Sequence, residues 1–279
     1  MRAEGYWQAA RAVSSEALAQ GALVPLQTTV LDLGEVAPFH LRRLEGAPPR
    51  HLKAKGPQAN PFLPWEPPLE VGRLGKSHVL ILNKYPVQPA HLLLITQQWH
   101  PQSGWLGEGD WQAVAEVAAD TGGLWFFNSS PTAGASQPHR HLQLLPRQRG
   151  ESSCPLASLL LCQLQEGGPR WPWRYALSAR WDPQGGKDLL SLYEEHAAIL
   201  GLGDPAEAAD PAHAYNLLFD DQWFLTVRRV KENCAGFSVN ALGFAGFLLC
   251  TKQSDLDWLK TRGPWRLLQE VAGEPSADP

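Results

Sequence analysis

Three polar side chains stand at alternate positions of one short segment, His139, His141 and Gln143, in the run Ser136-Gln137-Pro138-His139-Arg140-His141-Leu142-Gln143. Side chains of a β-strand alternate between its two faces, so these three share one face while Leu142 and Leu144 point to the other and can enter a core. The stretch leading into them holds Asn128, Ser129, Ser130, Gly134, Ala135, Ser136 and Gln137, small turn-forming residues that make a backbone-rich loop. This pattern can serve phosphoryl-type chemistry. A neutral imidazole attacks phosphorus, an amide donates to a phosphoryl oxygen without competing as nucleophile, and loop N–H groups receive the anion. Two blander readings compete. Histidines on a half-exposed strand would leave the register of all three groups unexplained, and a metal site on His139 and His141 lacks a third ligand, since no nearby Cys, Asp or Glu supplies one.

The surrounding chain predicts elements able to hold this strand. Apolar runs at residues 78–83 and 91–96 flank the connection Asn83-Lys84-Tyr85-Pro86-Val87-Gln88-Pro89-Ala90, whose two prolines suit a turn and exclude a central strand. Residues 110–120 read as a helix with Trp111, Val114, Val117 and Ala118 on one side, and 124–127 as a short buried strand leading to the loop. Upstream, an amphipathic helix ends near Gly21, strands are expected at 26–33 and 39–44, and 46–68 is a loop dense in Pro, Gly and Asn. Downstream, a crossover with one helix precedes a strand at 174–181, a helix at 188–200, paired strands at 214–219 and 223–230, a strand at 244–251 and a helix at 255–271. Strand, turn, strand, then strand and helix faintly echoes the first half.

The run from Gly134 to Gln143 resembles the His-x-His-x-Gln signature of the nucleotidyltransferase branch of the histidine-triad superfamily. It is most similar there to the family of diadenosine tetraphosphate (Ap4A) phosphorylases, also called ATP adenylyltransferases. Asn83 to His91 is close to the same superfamily's Asn-Lys-aromatic-Pro-Val-x-Pro-x-His pattern, and Asn60-Pro61-Phe62-Leu63-Pro64 and Ser238 to Gly246 match further blocks. The resemblance implies an α+β fold, a histidine-triad-like antiparallel sheet with packed helices, arranged as two such halves in one compact unit (1–167 and 168–279). It also implies that His141 is a nucleophile carrying an adenylyl group, with His139 orienting the site or aiding proton transfer and Gln143 donating to a phosphoryl oxygen. Asn83 would contact ribose or base. Lys53, Lys55, Lys84, Arg228 and Lys231 are candidates for the outer phosphates, and Asn128, Ser129, Ser130, Gly134, Ala135, Ser136 and Gln137 for the cradle. The implied reaction is reversible phosphorolysis of Ap4A to ATP and ADP. A hexose-1-phosphate nucleotidyltransferase is the enzymatic alternative, although no N-terminal Cys-x-x-Cys pair is present, and a non-catalytic nucleotide sensor is the alternative of another class.

Composition bounds the partners. With 279 residues, 44% of them hydrophobic and 19% charged, the chain can bury a large core, and its formal charge of −4 argues against a general nucleic-acid or membrane-surface protein. The expected partners are small molecules: Ap4A, ATP, ADP and phosphate. No tightly bound cofactor and no metal site are expected, a divalent cation such as Mg2+ entering only with the nucleotide. Cys154, Cys162, Cys234 and Cys250 lack paired spacing and read as reduced thiols, and residues 1–23 have no continuous apolar core, so a cytoplasmic monomer is the expectation.

Overall fold

The computed structural model describes residues 2–32, 34, 37–46, 60–148, 150–168, 170–180 and 186–274. Helix α1 (Gly5–Ala19) precedes short strands β1 (Thr28–Leu31) and β2 (His40–Leu44). Then follow β3 (Glu70–Leu74), β4 (His78–Leu82), β5 (Leu92–Thr96), α2 (Glu108–Asp120), β6 (Gly123–Asn128) and β7 (His141–Pro146). The second half supplies α3 (Ala157–Glu166), β8 (Tyr175–Ala179), α4 (Gly186–Ile199), β9 (Tyr215–Phe219) and β10 (Trp223–Arg228). It ends with the hairpin β11 (Asn233–Cys234) and β12 (Phe237–Ser238), the helical turn α5 (Ala241–Phe244), β13 (Phe247–Cys250) and α6 (Leu256–Ala272).

Eight strands form one sheet in the order β3-β4-β5-β7-β6-β9-β10-β8, with every neighbouring pair antiparallel. The fold is α+β, and the two halves meet inside this sheet through the pairing of β6 with β9. Strands β4 and β5 are apolar at nearly every position and buried at all of them, which requires cover on both faces. One face carries Leu80, Leu94, Leu142, Leu144, Trp125 and Phe127 against Ala10 and Ala17 of α1, Trp111, Val114 and Val117 of α2, and Leu189 of α4. On the other, Leu124, Phe126, Leu145, Leu218 and Leu225 pack against Leu160, Trp173, Phe244 and Leu267. A separate small cluster on this second face joins Val79, Ile81, Leu93 and Ile95 to Phe62.

Helix α2 starts with the Gly107 N–H donating to Asp110 Oδ2 at 2.8 Å, which satisfies a donor at the helix start. Its exit needs a glycine. Gly123 has φ of +147°, and a Cβ there would lie 2.2 Å from the Leu145 carbonyl oxygen, so only glycine lets β6 turn in and pair with the far end of β7.

Three features depart from the expected order. The strands expected at 26–33 and 39–44 exist but lie outside the large sheet, in a three-stranded sheet where β2 pairs antiparallel with β1 and parallel with β13. Strand β3, a large-sheet edge, was not anticipated, because Gly72 and Arg73 interrupt its apolar pattern. The C-terminal helix is broken at Gly263 (φ 79°, ψ 161°), where Pro264 follows.

Candidate active site

The sheet register builds the site. His141 lies opposite Ile95, and Gln143 lies between Leu93 on β5 and Phe126 on β6. All these positions face the side of the sheet opposite α1, α2 and α4. His141 and Gln143 therefore emerge in the gap between the Phe62 cluster and the larger core on that face. A cavity of about 240 Å³ opens there, with Ser136, Gln137, His141 and Gln143 in one part of its wall and Phe62, Ile81 and Leu93 among its apolar residues.

His141 is held in one tautomer. Its Nδ1 donates to the backbone carbonyl of His139 at 2.8 Å, leaving the Nε2 lone pair without a proton. Its backbone is fixed as well: the His141 N–H donates to Gln102 Oε1 at 2.8 Å, and Gln102 Nε2 donates to the Asn128 carbonyl at 2.8 Å. Gln102 thus ties the start of β7 to the end of β6. Burial pushes the His141 pKa down from 6.5 to about 4, more than the bond to the His139 carbonyl offsets. A nucleophilic imidazole must be neutral, a form populated above its pKa, so a lowered pKa extends activity to acid. With His141 as the attacking group, the rate of attack should hold from pH 7 down to about pH 5 and fall toward pH 4, as single-turnover kinetics over this range will read. An acid limb centred near pH 6.5 would contradict this assignment of the neutral form.

His139 does something different. Its Nε2 donates to the Thr96 carbonyl at 2.8 Å, and its Nδ1 accepts from Asn60 Nδ2 at 2.9 Å. Its ring sits fully buried between Phe62 and Trp99, with centroids 5.6 and 5.5 Å away. His139 is absent from the cavity wall, and its one hydrogen bond to His141 is through its carbonyl oxygen. With both ring nitrogens engaged it has no lone pair to offer a cation. Among the described residues no group of three or more His, Cys, Asp or Glu is placed to hold a metal ion.

Gln143 is oriented by a relay. Asn83 Nδ2 donates to His91 Nδ1 at 3.1 Å, so His91 Nε2 carries the proton and donates to Gln143 Oε1 at 2.9 Å. Because the Gln143 oxygen accepts, its NH2 group is the part left to donate into the cavity. Burial lowers the His91 pKa to about 4, keeping the imidazole neutral as the relay requires. His91 stands in the quoted Asn-to-His pattern, yet only the structure shows its partner.

Residues 1–162 match the Ap4A phosphorylase N-terminal domain, and residues 169–274 match the ATP adenylyltransferase C-terminal domain. The chain belongs to the Ap4A phosphorylase family. As a member of it the chain is a nucleotidyltransferase. Diadenosine 5′,5‴-P1,P4-tetraphosphate phosphorylase 2 of Saccharomyces cerevisiae is 25% identical over 236 residues, which span 74% of this chain and 71% of that protein. Protein APA1 of the same yeast is 36% identical over 81 residues, 26% of this chain and 25% of that one. The fold is shared with the crystal structure of yeast Ap4A phosphorylase Apa2, with a TM-score of 0.73 at 20% identity over 100% of this chain and 98% of that one. The complex of Apa2 with AMP superposes equally well, with a TM-score of 0.74 at 21% identity over 99% and 100% of the two chains.

The remaining candidate residues divide sharply. Asn83, Lys84, Ser136 and Gln137 line the cavity together with His141 and Gln143. Asn128 and Ser129 do not; both are buried and tie the Ap4A phosphorylase-type half to the other half. Asn128 Oδ1 accepts from Asn216 Nδ2 and from the Ala241 N–H, both at 2.8 Å, and Ser129 Oγ accepts from the Tyr215 N–H at 2.8 Å. Gly134 (φ +86°) lies against Asn240, where a Cβ would come within 2.8 Å of the Asn240 Cα. The N–H groups of Gly134 and Ala135 donate to the Pro131 and Ser130 carbonyls, so these two amides are occupied inside the loop, and Ser130 and Ala135 stay off the cavity wall. The cradle expected over residues 128–137 is thereby reduced to Ser136 and Gln137. Arg228 donates to His213 Nδ1 at 3.1 Å, Lys231 pairs with Glu270 at 2.9 Å, and neither lines the cavity. Lys53 and Lys55 lie outside the described residues.

Beside the candidate Arg228 stands a basic residue with a structural task, Arg229. Buried, it donates to the carbonyls of Ala133, Val239 and Val271 and to Asn216 Oδ1, and so fixes the loop's first turn to the second half. Burial lowers its pKa to about 9. Adjacent to Arg228 in sequence, it differs by pointing inward, as strand alternation dictates.

Proposed function

We propose that this chain catalyses the reversible phosphorolysis of Ap4A to ATP and ADP through an adenylyl group carried on His141 Nε2. The observation that carries the reading is the pairing of an unprotonated His141 Nε2 with a Gln143 NH2 group, set by two fixed hydrogen bonds on one face of β7. In the first step Nε2 attacks the α-phosphorus of Ap4A, the bond from that phosphorus to the bridging oxygen breaks, and ATP departs. The ring then holds Nδ1–H and the new N–P bond, a cation steadied by the His139 carbonyl. In the second step an oxygen of phosphate attacks the same phosphorus, the N–P bond breaks with neutral imidazole as leaving group, and ADP forms. Gln143 donates to the phosphoryl oxygens in both directions, as phosphoryl transfer relies chiefly on positioning and electrostatics. No tightly bound cofactor enters these steps. A divalent cation such as Mg2+ would travel with the polyphosphate.

Phosphate and water compete for the same intermediate, and a bound, oriented acceptor gains an effective concentration far above that of a free one. Purified protein given Ap4A and phosphate should yield ATP and ADP with ping-pong kinetics, which product chromatography over a range of phosphate concentrations will read. If ATP and AMP form at every phosphate concentration, the chain is a hydrolase and phosphorolysis is wrong even with His141 as nucleophile.

A further inference from the structure

The rings of His139 and His141 both meet Phe62 on one side of the sheet, and Arg140 between them turns to the other, toward the start of α2. Buried there, its guanidinium donates from NH1 to Asp110 Oδ2 at 3.0 Å, and from Nε and NH2 to the Pro101 carbonyl at 3.3 and 3.1 Å. Asp110 is buried as well and is held from a second side, by His78 Nε2 donating to its Oδ1 at 3.0 Å. Burial acts to raise the Asp110 pKa, yet the bond from His78 and the charge of Arg140 hold it below its ordinary value, so the pair is ionised. Gly104 leaves the room that the guanidinium occupies, since a Cβ there would lie 2.7 Å from Arg140 NH2. A buried ion pair is a poor source of net stability, because an apolar pair of similar volume often serves as well. What this one fixes is the backbone on which His141 depends. The peptide unit between His139 and Arg140 gives its oxygen to His141 Nδ1 and its N–H to the His100 carbonyl at 2.9 Å. The unit between Arg140 and His141 gives its N–H to Gln102 Oε1 and its oxygen to the Thr96 N–H at 3.3 Å. His100, Pro101 and Gln102 are consecutive, so the guanidinium grips, by its middle residue, the segment that holds both units.

We propose that Arg140, anchored by Asp110, is a positioning residue for adenylyl transfer: it fixes the rotation of the peptide between His139 and Arg140, and with it the tautomer and the aim of His141 Nε2. It acts from the face of the sheet away from the cavity, so substrate binding does not depend on it. Three donors aimed at two acceptors in a rigid fork set a direction, which a single point charge does not. This assignment rests on His141 acting as the nucleophile, as given above.

The test uses the full chain and its Arg140→Lys variant, which keeps a positive charge beside Asp110 but cannot span Asp110 and the Pro101 carbonyl together. Three quantities are compared: Ap4A turnover per folded enzyme, AMP affinity by calorimetry, and the protonated ring nitrogen of His141. The last is read by nitrogen NMR of histidine-labelled protein above neutral pH, with His141→Ala identifying the signal. In Arg140→Lys turnover should fall about 10- to 100-fold, the cost of misplacing a reacting atom by about 1 Å, while AMP affinity stays within a few fold. Its His141 proton should move in part from Nδ1 to Nε2, a change that a loss of stability alone would not produce in the folded molecules. Native turnover in Arg140→Lys overturns the assignment, and so does a fall in turnover with the proton still wholly on Nδ1 or with AMP affinity lowered by the same factor. If Arg140→Lys fails to fold, Gly104→Ala decides by the same three readings, because it keeps both charges and places a methyl group where NH2 lies; its turnover should fall in the same way by a smaller factor, and native values overturn the assignment. A wild type that transfers no adenylyl group from Ap4A fails the nucleophile reading itself, a result distinct from any failure of Arg140.

Discussion

Replacing His141 by Ala should lower Ap4A turnover by about 10⁴-fold or more while leaving nucleotide affinity within a few fold. The reason is covalent: no neighbouring group can take over its bond to phosphorus. His139 is the nearest imidazole along the chain, but both of its ring nitrogens are engaged, by Thr96 and Asn60. Gln143 presents an amide, which is not a useful nucleophile. Rapid alkaline quench of the wild type turning over Ap4A, followed by peptide mass spectrometry under non-acidic conditions, should find AMP on His141 and on no other residue. A His141→Ala variant with near-normal turnover, or AMP found on His139, would reject the assignment.

Gln143→Ala should cost roughly 10²–10³-fold in turnover with a smaller effect on affinity, the size seen when one donor to a developing charge is removed. Gln143→Glu makes the sharper comparison. It preserves shape and an acceptor for the His91 N–H, but it replaces the donating NH2 with an anionic oxygen facing the phosphate, so it should be at least as damaging as Ala. Steady-state kcat and KM for the two variants decide the matter. If Gln143→Glu retains most of the wild-type kcat, the group required at this position is an acceptor, and the relay from Asn83 through His91 has been read in the wrong direction.

The site is partly legible in the sequence. Strand alternation alone places His141 and Gln143 on one face and sends Leu142 and Leu144 into the core, where both are fully buried. The acceptor that fixes the His141 tautomer is named only by the fold, as the carbonyl of His139 two residues earlier. His139, which precedes β7, keeps to the side of His141 too, its ring against the same Phe62 that meets His141, but its nitrogens are engaged by Thr96 and Asn60 and it stays off the cavity wall. Asn128, Ser129 and Gly134 were legible as special residues but not for their task. Small polar residues cradle anions and stitch loops equally well, and only the contacts to Asn216, Tyr215 and Asn240 decide between the two.

By itself the sequence determined what contiguous residues control: which runs become strands, which side chains share a face, where a turn must fall, and that an imidazole and an amide stand side by side facing one way. Tertiary structure alone decided what depends on register between distant segments. Gln143 takes its orientation from His91, 52 positions away, because β5 pairs with β7 one way and no other. Gln102, 39 positions before His141, clamps the start of the His141 strand from a loop with no pattern of its own. Local propensity acts within a few residues, whereas a hydrogen bond across a sheet has a partner only once the chain between has been folded away, and so it leaves no mark in the spacing of neighbours.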